Sequence, residues 1–193
     1  MTTITQVPQD LHLHTIYSTG DSSIVRAQTP EFISSIAHAG IIGIADHLNY
    51  VSGSDFNAYA LDIRSFGFKV GVEVSGAEWV QAALAIEPDY YVYHCWDKKQ
   101  DYKGIQDILT KGKPLIVAHP LFLGTDLEKV PRECFVEINN RYIWQSDWKR
   151  GLTPFLDKFS FVISSDAHQP HWLNQNIARF VAHQLGIEET ILF

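Results

Sequence analysis

Histidines and carboxylates end several short apolar segments of this sequence. Six of its nine histidines and one glutamate take such a position, namely His12, His14, His47, His94, His119, His168 and Glu73. A buried imidazole or carboxylate is costly unless it has a partner. Because the ends of parallel strands meet at one mouth of a β/α barrel, a polynuclear metal site there would account for all of these positions together.

The first and the last of these segments carry ligand-type residues two positions apart. Side chains alternate between the two faces of a strand, so His12 and His14 would share one face of the first strand. In the same way, Asp166 and His168 would share one face of the last strand. Imidazole and carboxylate ligands together suit zinc, manganese or iron, and Glu73 could bridge two ions.

Strand-like and amphipathic segments alternate along the whole sequence. The predicted strands are centred on residues 11–14, 41–46, 69–74, 90–94, 115–119, 135–138 and 161–165. Several of them are apolar almost throughout, which is typical of parallel strands buried on both faces. An open doubly wound sheet would spread their ends apart, whereas a closed or nearly closed barrel brings them together. The sequence therefore favours an α/β fold in which seven strands form a barrel.

The segments between the strands have helical periodicity. Thr29 would cap the first helix, Pro30 would take its first position, and Gly40 would end it. The other predicted helices cover residues 55–66, 78–85, 101–111, 148–159 and 172–185. Since the alternation continues from end to end, residues 1–193 are predicted to form one domain.

Composition narrows the classes of partner. The formal net charge of −7 argues against binding to nucleic acid or to an anionic membrane, because both attract basic surfaces. No apolar run approaches the roughly 18 residues of a membrane span, and the first residues do not resemble a signal peptide. Cys95 and Cys134 are therefore predicted to be reduced in a cytoplasmic protein. The sequence predicts no particular oligomeric state.

Five motifs, taken in order, resemble those of the PHP family of polymerase and histidinol phosphatase domains. They are Asp10-Leu11-His12-Leu13-His14, Ala45-Asp46-His47, Gly71-Val72-Glu73, Ala118-His119-Pro120 and Ser165-Asp166-Ala167-His168. This resemblance covers nearly the whole chain. It implies a distorted, TIM-like (β/α)7 barrel with two or three divalent metal ions at the C-terminal ends of the strands, and usually phosphoester hydrolysis.

The resemblance also implies how the ligands would be divided. One metal ion would be held by His12, His14, Glu73 and Asp166. A second would share Glu73 and add His94 and His119. A third would use His47 and His168, with Asp21 as a further candidate.

The expected activity is that of a phosphatase acting on a small phosphate monoester through a metal-bound hydroxide. Two ions about 3.5–4 Å apart would hold this hydroxide, lower its pKa and clamp the phosphoryl oxygens. The catalytic candidates are Asp166, Glu73 and His168, and Asp166 or a nearby histidine would manage the protons.

A phosphorylated substrate also needs polar and cationic contacts. Arg141 closely follows the sixth strand and is the first candidate, with Lys98 and Arg26 as alternatives. Asn139 could form a hydrogen bond to the substrate, and Asp46 would orient the histidine that follows it.

Other side chains near the strand ends have simpler interpretations. Trp96, Trp144 and Trp172 could line a pocket or only pack. His38 and His183 fall in predicted helices and are expected to be solvated.

Three alternative functions stay open. The first is a phosphodiesterase or exonuclease that acts on nucleotides. The second is a non-catalytic regulatory domain that binds metal, although such a domain would be expected to have lost several ligands. The third is an amidohydrolase, which also begins with His-x-His but commonly uses a lysine at a mid-barrel strand end, and no lysine closes a strand here.

Overall fold

The computed structural model describes residues 7–193, apart from the side chain of Ser54. Seven strands follow one another in sequence order, each parallel to the next. They are β1 (Val7–Asp10), β2 (Ala39–Ile44), β3 (Lys69–Val74), β4 (Tyr90–Tyr93), β5 (Leu115–Val117), β6 (Phe135–Asn139) and β7 (Ser160–Ser164). The prediction that the first residues are not a signal peptide falls partly on residues 1–6, which lie outside the described residues.

The first and last strands approach each other just beyond their carboxyl ends. Leu13 forms an isolated parallel bridge with Ala167, and the His14 N–H donates a hydrogen bond of 3.0 Å to the Ala167 carbonyl oxygen. The Ser165 N–H donates to Asp10 Oδ1 at 3.0 Å. These contacts make the sheet a nearly closed barrel, so the predicted α/β barrel of seven strands is confirmed.

Eight α-helices lie between and after the strands in the described part of the chain. They are α1 (Pro30–Ile36), α2 (Leu48–Val51), α3 (Phe56–Ser65), α4 (Val80–Leu84), α5 (Lys99–Leu109), α6 (Pro120–Leu123), α7 (Trp148–Leu152) and α8 (Asn176–Leu185). Within residues 7–193, none of these helices combines the length and apolar character needed to cross a membrane.

The first helix begins where the sequence predicts but ends earlier. The Thr29 side chain accepts a hydrogen bond from the Phe32 N–H at 3.2 Å, as expected of a cap. The helix ends at Ile36, and Ala37 takes the left-handed conformation at φ 46°. Gly40 instead lies in β2, where a Cβ would come within 3.0 Å of the Pro8 carbonyl oxygen. The predicted helix end at Gly40 is therefore wrong, because this glycine serves the close approach of β1.

Two predicted helices are shorter than their apolar patterns suggest. Residues 148–159 contain α7 followed by a 3₁₀ turn, Thr153–Phe155. Pro154 has no N–H to continue the α-helical hydrogen bonds, so the single helix predicted there is wrong. Residues 172–185 likewise divide into the end of a 3₁₀ turn, Pro170–Trp172, and α8.

The predicted first strand is displaced along the chain. It was expected at residues 11–14, whereas β1 covers Val7–Asp10. Leu11 belongs to the small inner core of the barrel and Leu13 to the larger outer core. Strict alternation is therefore interrupted after Leu11, which lets His12 and His14 both face the mouth of the barrel although they follow the strand.

The alternation of side chains separates an inner core from an outer one. The inner core consists of Leu11, Ala45, Tyr90, Val92, Ile116, Ala118 and Val162. Tyr91, Tyr93 and Val117 belong to the outer core, which also contains side chains of the helices. Because inward positions recur every two residues, the series Tyr90, Val92 continues to His94 at the mouth.

The Tyr90 ring fills the inside of the barrel next to positions on β2 and β3 that have no side chain. Its hydroxyl donates a hydrogen bond of 2.7 Å to the Leu11 carbonyl oxygen. A Cβ at Gly43 or Gly71 would overlap the Tyr90 side chain. Glycine at both positions therefore makes room for the ring.

The substitution Gly71→Ala is expected to destabilise the protein by about 1–3 kcal/mol, the usual cost of overpacking a core. Urea unfolding measures this change in the free energy of unfolding. Repeating the substitution in a Tyr90→Leu background gives the control, since removal of the ring should remove most of the cost. An equal cost in both backgrounds would contradict the assigned cause.

Candidate metal centre

Three groups of potential ligand atoms lie at the mouth of the barrel. They are His12, His14 and Glu73; Glu73, His94 and His119; and His14, His47 and His168. Within each group, the ligand atoms all lie within 4.8 Å of one another. Glu73 and His14 each belong to two groups, so the three groups are contiguous and could hold neighbouring metal ions.

Glu73 lies at the centre of this arrangement, and its carboxylate faces four imidazoles. The facing nitrogens are Nε2 of His12 at 3.3 Å, Nε2 of His14 at 3.4 Å, Nδ1 of His47 at 2.6 Å and Nε2 of His94, which is in close contact. Burial raises the pKa of Glu73, but the histidines, His94 foremost, outweigh it and hold this pKa well below its usual range. Glu73 is therefore an ionised carboxylate placed to bridge ions.

Several buried nitrogen and oxygen atoms at the mouth lie close together, and some of them have no hydrogen-bond partner. Nε2 of His12 lies 3.2 Å from Nε2 of His14, while Nδ1 of His12 lies 2.8 Å from Glu137 Oε1. In the neutral ring of His12, donation from Nδ1 to that carboxylate leaves a lone pair on Nε2. Among the described residues, Glu73 Oε2 and His94 Nε2 have no hydrogen-bond partner of acceptable geometry. Converging lone pairs of this kind fit a cation.

Two of the imidazoles have lowered pKa values and are therefore neutral at pH 7. Burial, reinforced by His168, lowers the pKa of His14 well below its usual value. Burial, reinforced by His94, lowers the pKa of His119 to about 3. A histidine must be neutral to bind a metal ion, so both side chains have the required protonation state at pH 7.

Glu137 is a candidate site residue that the sequence did not predict. Besides His12, its carboxylate accepts the His119 N–H at 2.7 Å and Asn139 Nδ2 at 2.9 Å through Oε2. Burial raises the pKa of Glu137, but His12 outweighs it and the pKa falls to about 2. Glu137 thus orients two candidate ligands. The signal for it was its i, i+2 spacing from Asn139 on a strand that ends without a histidine.

The substitution Glu137→Gln is expected to weaken metal binding or activity by about 10–100-fold, as for other groups that orient metal ligands. The glutamine amide would turn its NH₂ toward either the His12 ring or the His119 N–H, and both of those groups are donors. Titration of the protein with zinc or manganese measures the affinity. Glu133→Gln is the matched control, since Glu133 is exposed and precedes β6. Unchanged affinity in Glu137→Gln would contradict its role.

Asp166 adjoins two of the ligand groups. Its Oδ1 lies 3.6 Å from Nε2 of His14, 3.8 Å from Nε2 of His12 and 3.3 Å from Nδ1 of His168. Burial raises the pKa of Asp166 and is only partly offset by His12 and His168. The structure therefore brings Asp166 beside His12, His14 and Glu73, the position that the resemblance of the motifs implies for it.

Asp21 reaches the third group from the turn after Gly20. Its Oδ2 lies 2.9 Å from Nε2 of His168 and 3.2 Å from Nε2 of His47. Hydrogen bonds with His168 and His47 hold the pKa of Asp21 well below its usual range. All nine predicted metal ligands thus lie at one mouth of the barrel.

Two candidate ligands adopt left-handed backbone conformations. His119 has φ 26° and Asp166 has φ 54°. For residues other than glycine, such conformations cost on the order of 1–3 kcal/mol and cluster at functional sites. The His119 N–H bond to Glu137 is one contact that holds this geometry.

Arg141 is the cation at the edge of the cleft. Its Nη1 lies 3.1 Å from Nε2 of His168 and 3.6 Å from Asp166 Oδ1. Its guanidinium lies over the rings of Tyr142 and Trp172, with centroids 4.9 and 5.0 Å away. The cleft above the ligand groups has a volume of about 160 Å³, and Arg141 lines it.

The other predicted substrate contacts lie elsewhere. Lys98 and Arg26 are exposed and do not line the cleft in the described part of the chain. Asn139 is buried, and its Nδ2 donates to Glu137 and to Asp166. Its Oδ1 accepts the main-chain N–H groups of Arg141 and Tyr142. The Asn139 amide is thus used to position other groups.

Two further expectations need correction. Asp46 does not contact the imidazole of His47 but accepts hydrogen bonds from Thr15 at 2.6 and 2.7 Å and from Ser18 at 2.7 Å. It therefore fixes the turn after His-x-His, and burial raises its pKa to about 6. His38 is neither helical nor solvated, because its side chain is only 7% exposed and Nε2 lies 3.0 Å from Asp10 Oδ2.

No protein-family model matches the chain, and no curated protein matches it either.

Proposed function

We propose that this protein is a metal-dependent phosphatase that hydrolyses a small phosphate monoester. The observation that carries the proposal is the set of three contiguous ligand groups, joined through Glu73 and His14, beside the guanidinium of Arg141. Zinc, manganese or iron ions suit such ligands. When bound, divalent ions lower the pKa of water and neutralise charge on phosphoryl oxygens.

Arg141 would bind the non-bridging oxygens of the phosphoryl group. A guanidinium offers several donors in one plane, which matches phosphate geometry. The guanidinium lies against the ring faces of Tyr142 and Trp172. The main-chain N–H of Arg141 donates a hydrogen bond to Asn139 Oδ1 at 2.9 Å, which fixes the backbone that carries this side chain. A donor fixed in this way stabilises charge that develops on the phosphoryl group without having to reorganise.

Asp166 and His168 are the candidates for holding protons near the phosphoryl group. Asp166 Oδ2 accepts a hydrogen bond from Asn139 Nδ2 at 3.2 Å, while Oδ1 faces Arg141 Nη1. Nδ1 of His168 lies 3.0 Å from the Asp166 carbonyl oxygen, and its Nε2 lies 2.9 Å from Asp21 Oδ2, so each ring nitrogen has an oxygen that can accept its proton. We assign proton transfer to the leaving oxygen to Asp166, oriented by Asn139; in this role Asp166 stands beside the three ligand groups and is not itself a ligand.

The size and charge of the cleft favour a monoester over larger substrates. A volume of about 160 Å³ is below the range of roughly 300–1,000 Å³ typical of pockets for drug-sized ligands, but it accommodates a phosphoryl group. The net charge of −7 disfavours a polyanion such as nucleic acid. No lysine lines the cleft among the described residues, which disfavours the amidohydrolase alternative. The resemblance of the motifs to the PHP family supports the same activity.

Hydrolysis of p-nitrophenyl phosphate, compared with bis(p-nitrophenyl) phosphate, tests the proposal in manganese- or zinc-loaded protein. We expect turnover of the monoester, and a loss of about 10–100-fold in kcat/KM for Arg141→Ala. Arg132→Ala is the matched control, because Arg132 is exposed and outside the cleft. Turnover of the diester alone would indicate a phosphodiesterase. Absence of turnover with metal bound would overturn the proposal in favour of a non-catalytic domain.

A further inference from the structure

A second and larger cleft adjoins the one above the ligand groups. Its volume is about 370 Å³, and Arg141 and Tyr142 line both clefts. A phosphoryl group held by Arg141 at the ligand groups would therefore leave the rest of the substrate at the entrance to this second cleft.

Aromatic rings form much of the wall of the second cleft. Trp144, Trp172 and Tyr142 line it. Trp144 is 61% exposed, yet its orientation is fixed, since its indole N–H donates a hydrogen bond of 2.8 Å to the Arg141 carbonyl oxygen. Trp172 lies against the Arg141 guanidinium. Trp144 therefore offers an exposed ring face in a fixed orientation, with the half-buried ring of Trp172 nearby, and such faces suit a flat ring that can stack on them.

The polar groups of the second cleft indicate the charge of its ligand. Arg141 supplies the positive charge, and no aspartate or glutamate lines the cleft among the described residues. An ammonium group would therefore find no counter-ion there. Ser165 also lines the cleft, is only 1% exposed, and its Oγ has no hydrogen-bond partner among residues 7–193. This hydroxyl is available to the polar edge of an uncharged ring.

We propose that the second cleft binds the base of a nucleoside monophosphate, which makes this class the substrate of the enzyme. This inference rests on the proposed phosphatase function. A nucleobase is planar and uncharged and has a polar edge, as the rings of Trp144 and Trp172 and the hydroxyl of Ser165 require. Stacking on aromatic side chains accepts any base, so the cleft selects the class of substrate rather than one nucleotide.

Two measurements on the metal-loaded protein test this assignment. The first compares kcat/KM for adenosine 5′-monophosphate with that for ribose 5-phosphate, which lacks the base. The second is calorimetric binding of adenosine, which has no phosphate to hydrolyse, compared with ribose. We expect a preference for the compound with the base of about 10- to 100-fold in both measurements, from stacking on the aromatic wall.

The variant Trp144→Ala should lose about tenfold in adenosine affinity, whereas Trp144→Phe, which keeps a ring, should lose much less. Phe180→Ala is the matched control, since Phe180 is also exposed but lies on α8 outside the cleft. Equal hydrolysis of ribose 5-phosphate and adenosine 5′-monophosphate, or unchanged adenosine affinity in Trp144→Ala, would overturn the base-binding assignment and leave the phosphatase proposal intact.

The remaining outcomes separate the two proposals. Binding of adenosine through Trp144 without hydrolysis of any ester would support the base-binding cleft and overturn the phosphatase. Faster hydrolysis of a 3′-phosphorylated oligonucleotide than of adenosine 5′-monophosphate would overturn the assignment to mononucleotides.

Discussion

The substitution Glu73→Gln is expected to lower kcat/KM for p-nitrophenyl phosphate by at least about 10³-fold, because metal ions in such sites contribute several kcal/mol to catalysis. Glutamine keeps the shape of the side chain but loses its charge. The Glu73 carboxylate faces imidazoles from four histidines, so an amide NH₂ would point at ring nitrogens that should bind metal. Two ligand groups lose a member at once.

Metal content, measured by elemental analysis after gel filtration, should fall together with the activity. Glu133→Gln is the matched control and should keep both, since Glu133 is exposed. Circular dichroism establishes that the variant is folded. A folded Glu73→Gln protein with full metal content and parental activity would exclude the central role of this carboxylate.

The effects of Glu73→Gln and Glu137→Gln should differ in size for a structural reason. Glu73 faces the positions that metal ions would take, whereas Glu137 contacts His12 through the nitrogen on the other side of its ring. Loss of the Glu73 carboxylate removes a negative charge that would balance the charge of the metal ions. Loss of an orienting group only loosens a ligand that remains. Similar losses in the two variants would indicate that Glu137 is itself a ligand.

The periodicity of the sequence predicted most of the candidate ligand side chains that lie at the mouth of the barrel. The strand patterns around Tyr90–Tyr93 and Lys69–Val74 are apolar almost throughout, and their inward positions lead directly to His94 and Glu73. Because this relation is local and has a period of two, it can be read without knowledge of the fold.

The features that escaped prediction depend on contacts between distant segments. Closure of the barrel between Leu13 and Ala167 moves the first strand back to Val7–Asp10, and no local pattern specifies that bridge. Gly40 looks like a helix end locally but serves the approach of β1. The partners of Glu137 come from His12 and His119, which lie on other parts of the barrel.

Removal of metal by a chelator is expected to abolish turnover and to lower the thermal midpoint of unfolding by about 5–10 °C. A ligand present at 100 times its Kd stabilises the folded state by about 2.7 kcal/mol, and each kcal/mol corresponds to roughly 2–4 °C in a chain of this size. The unfolded chain cannot bring the ligands together, since they end or follow strands from β1 to β7 and are spread over residues 12–168. Differential scanning calorimetry measures the shift.

The identity of the added ion provides the control for this measurement. Ligand sets that combine imidazole with carboxylate suit zinc or manganese, whereas calcium takes oxygen ligands. Re-addition of zinc or manganese should therefore restore the thermal midpoint, and calcium should not. Zinc should also have little effect on Glu73→Gln, because that variant lacks the carboxylate shared by two ligand groups. A midpoint that is the same with chelator, zinc and calcium would mean that these histidines and carboxylates stabilise the barrel through their mutual contacts, without binding a metal ion.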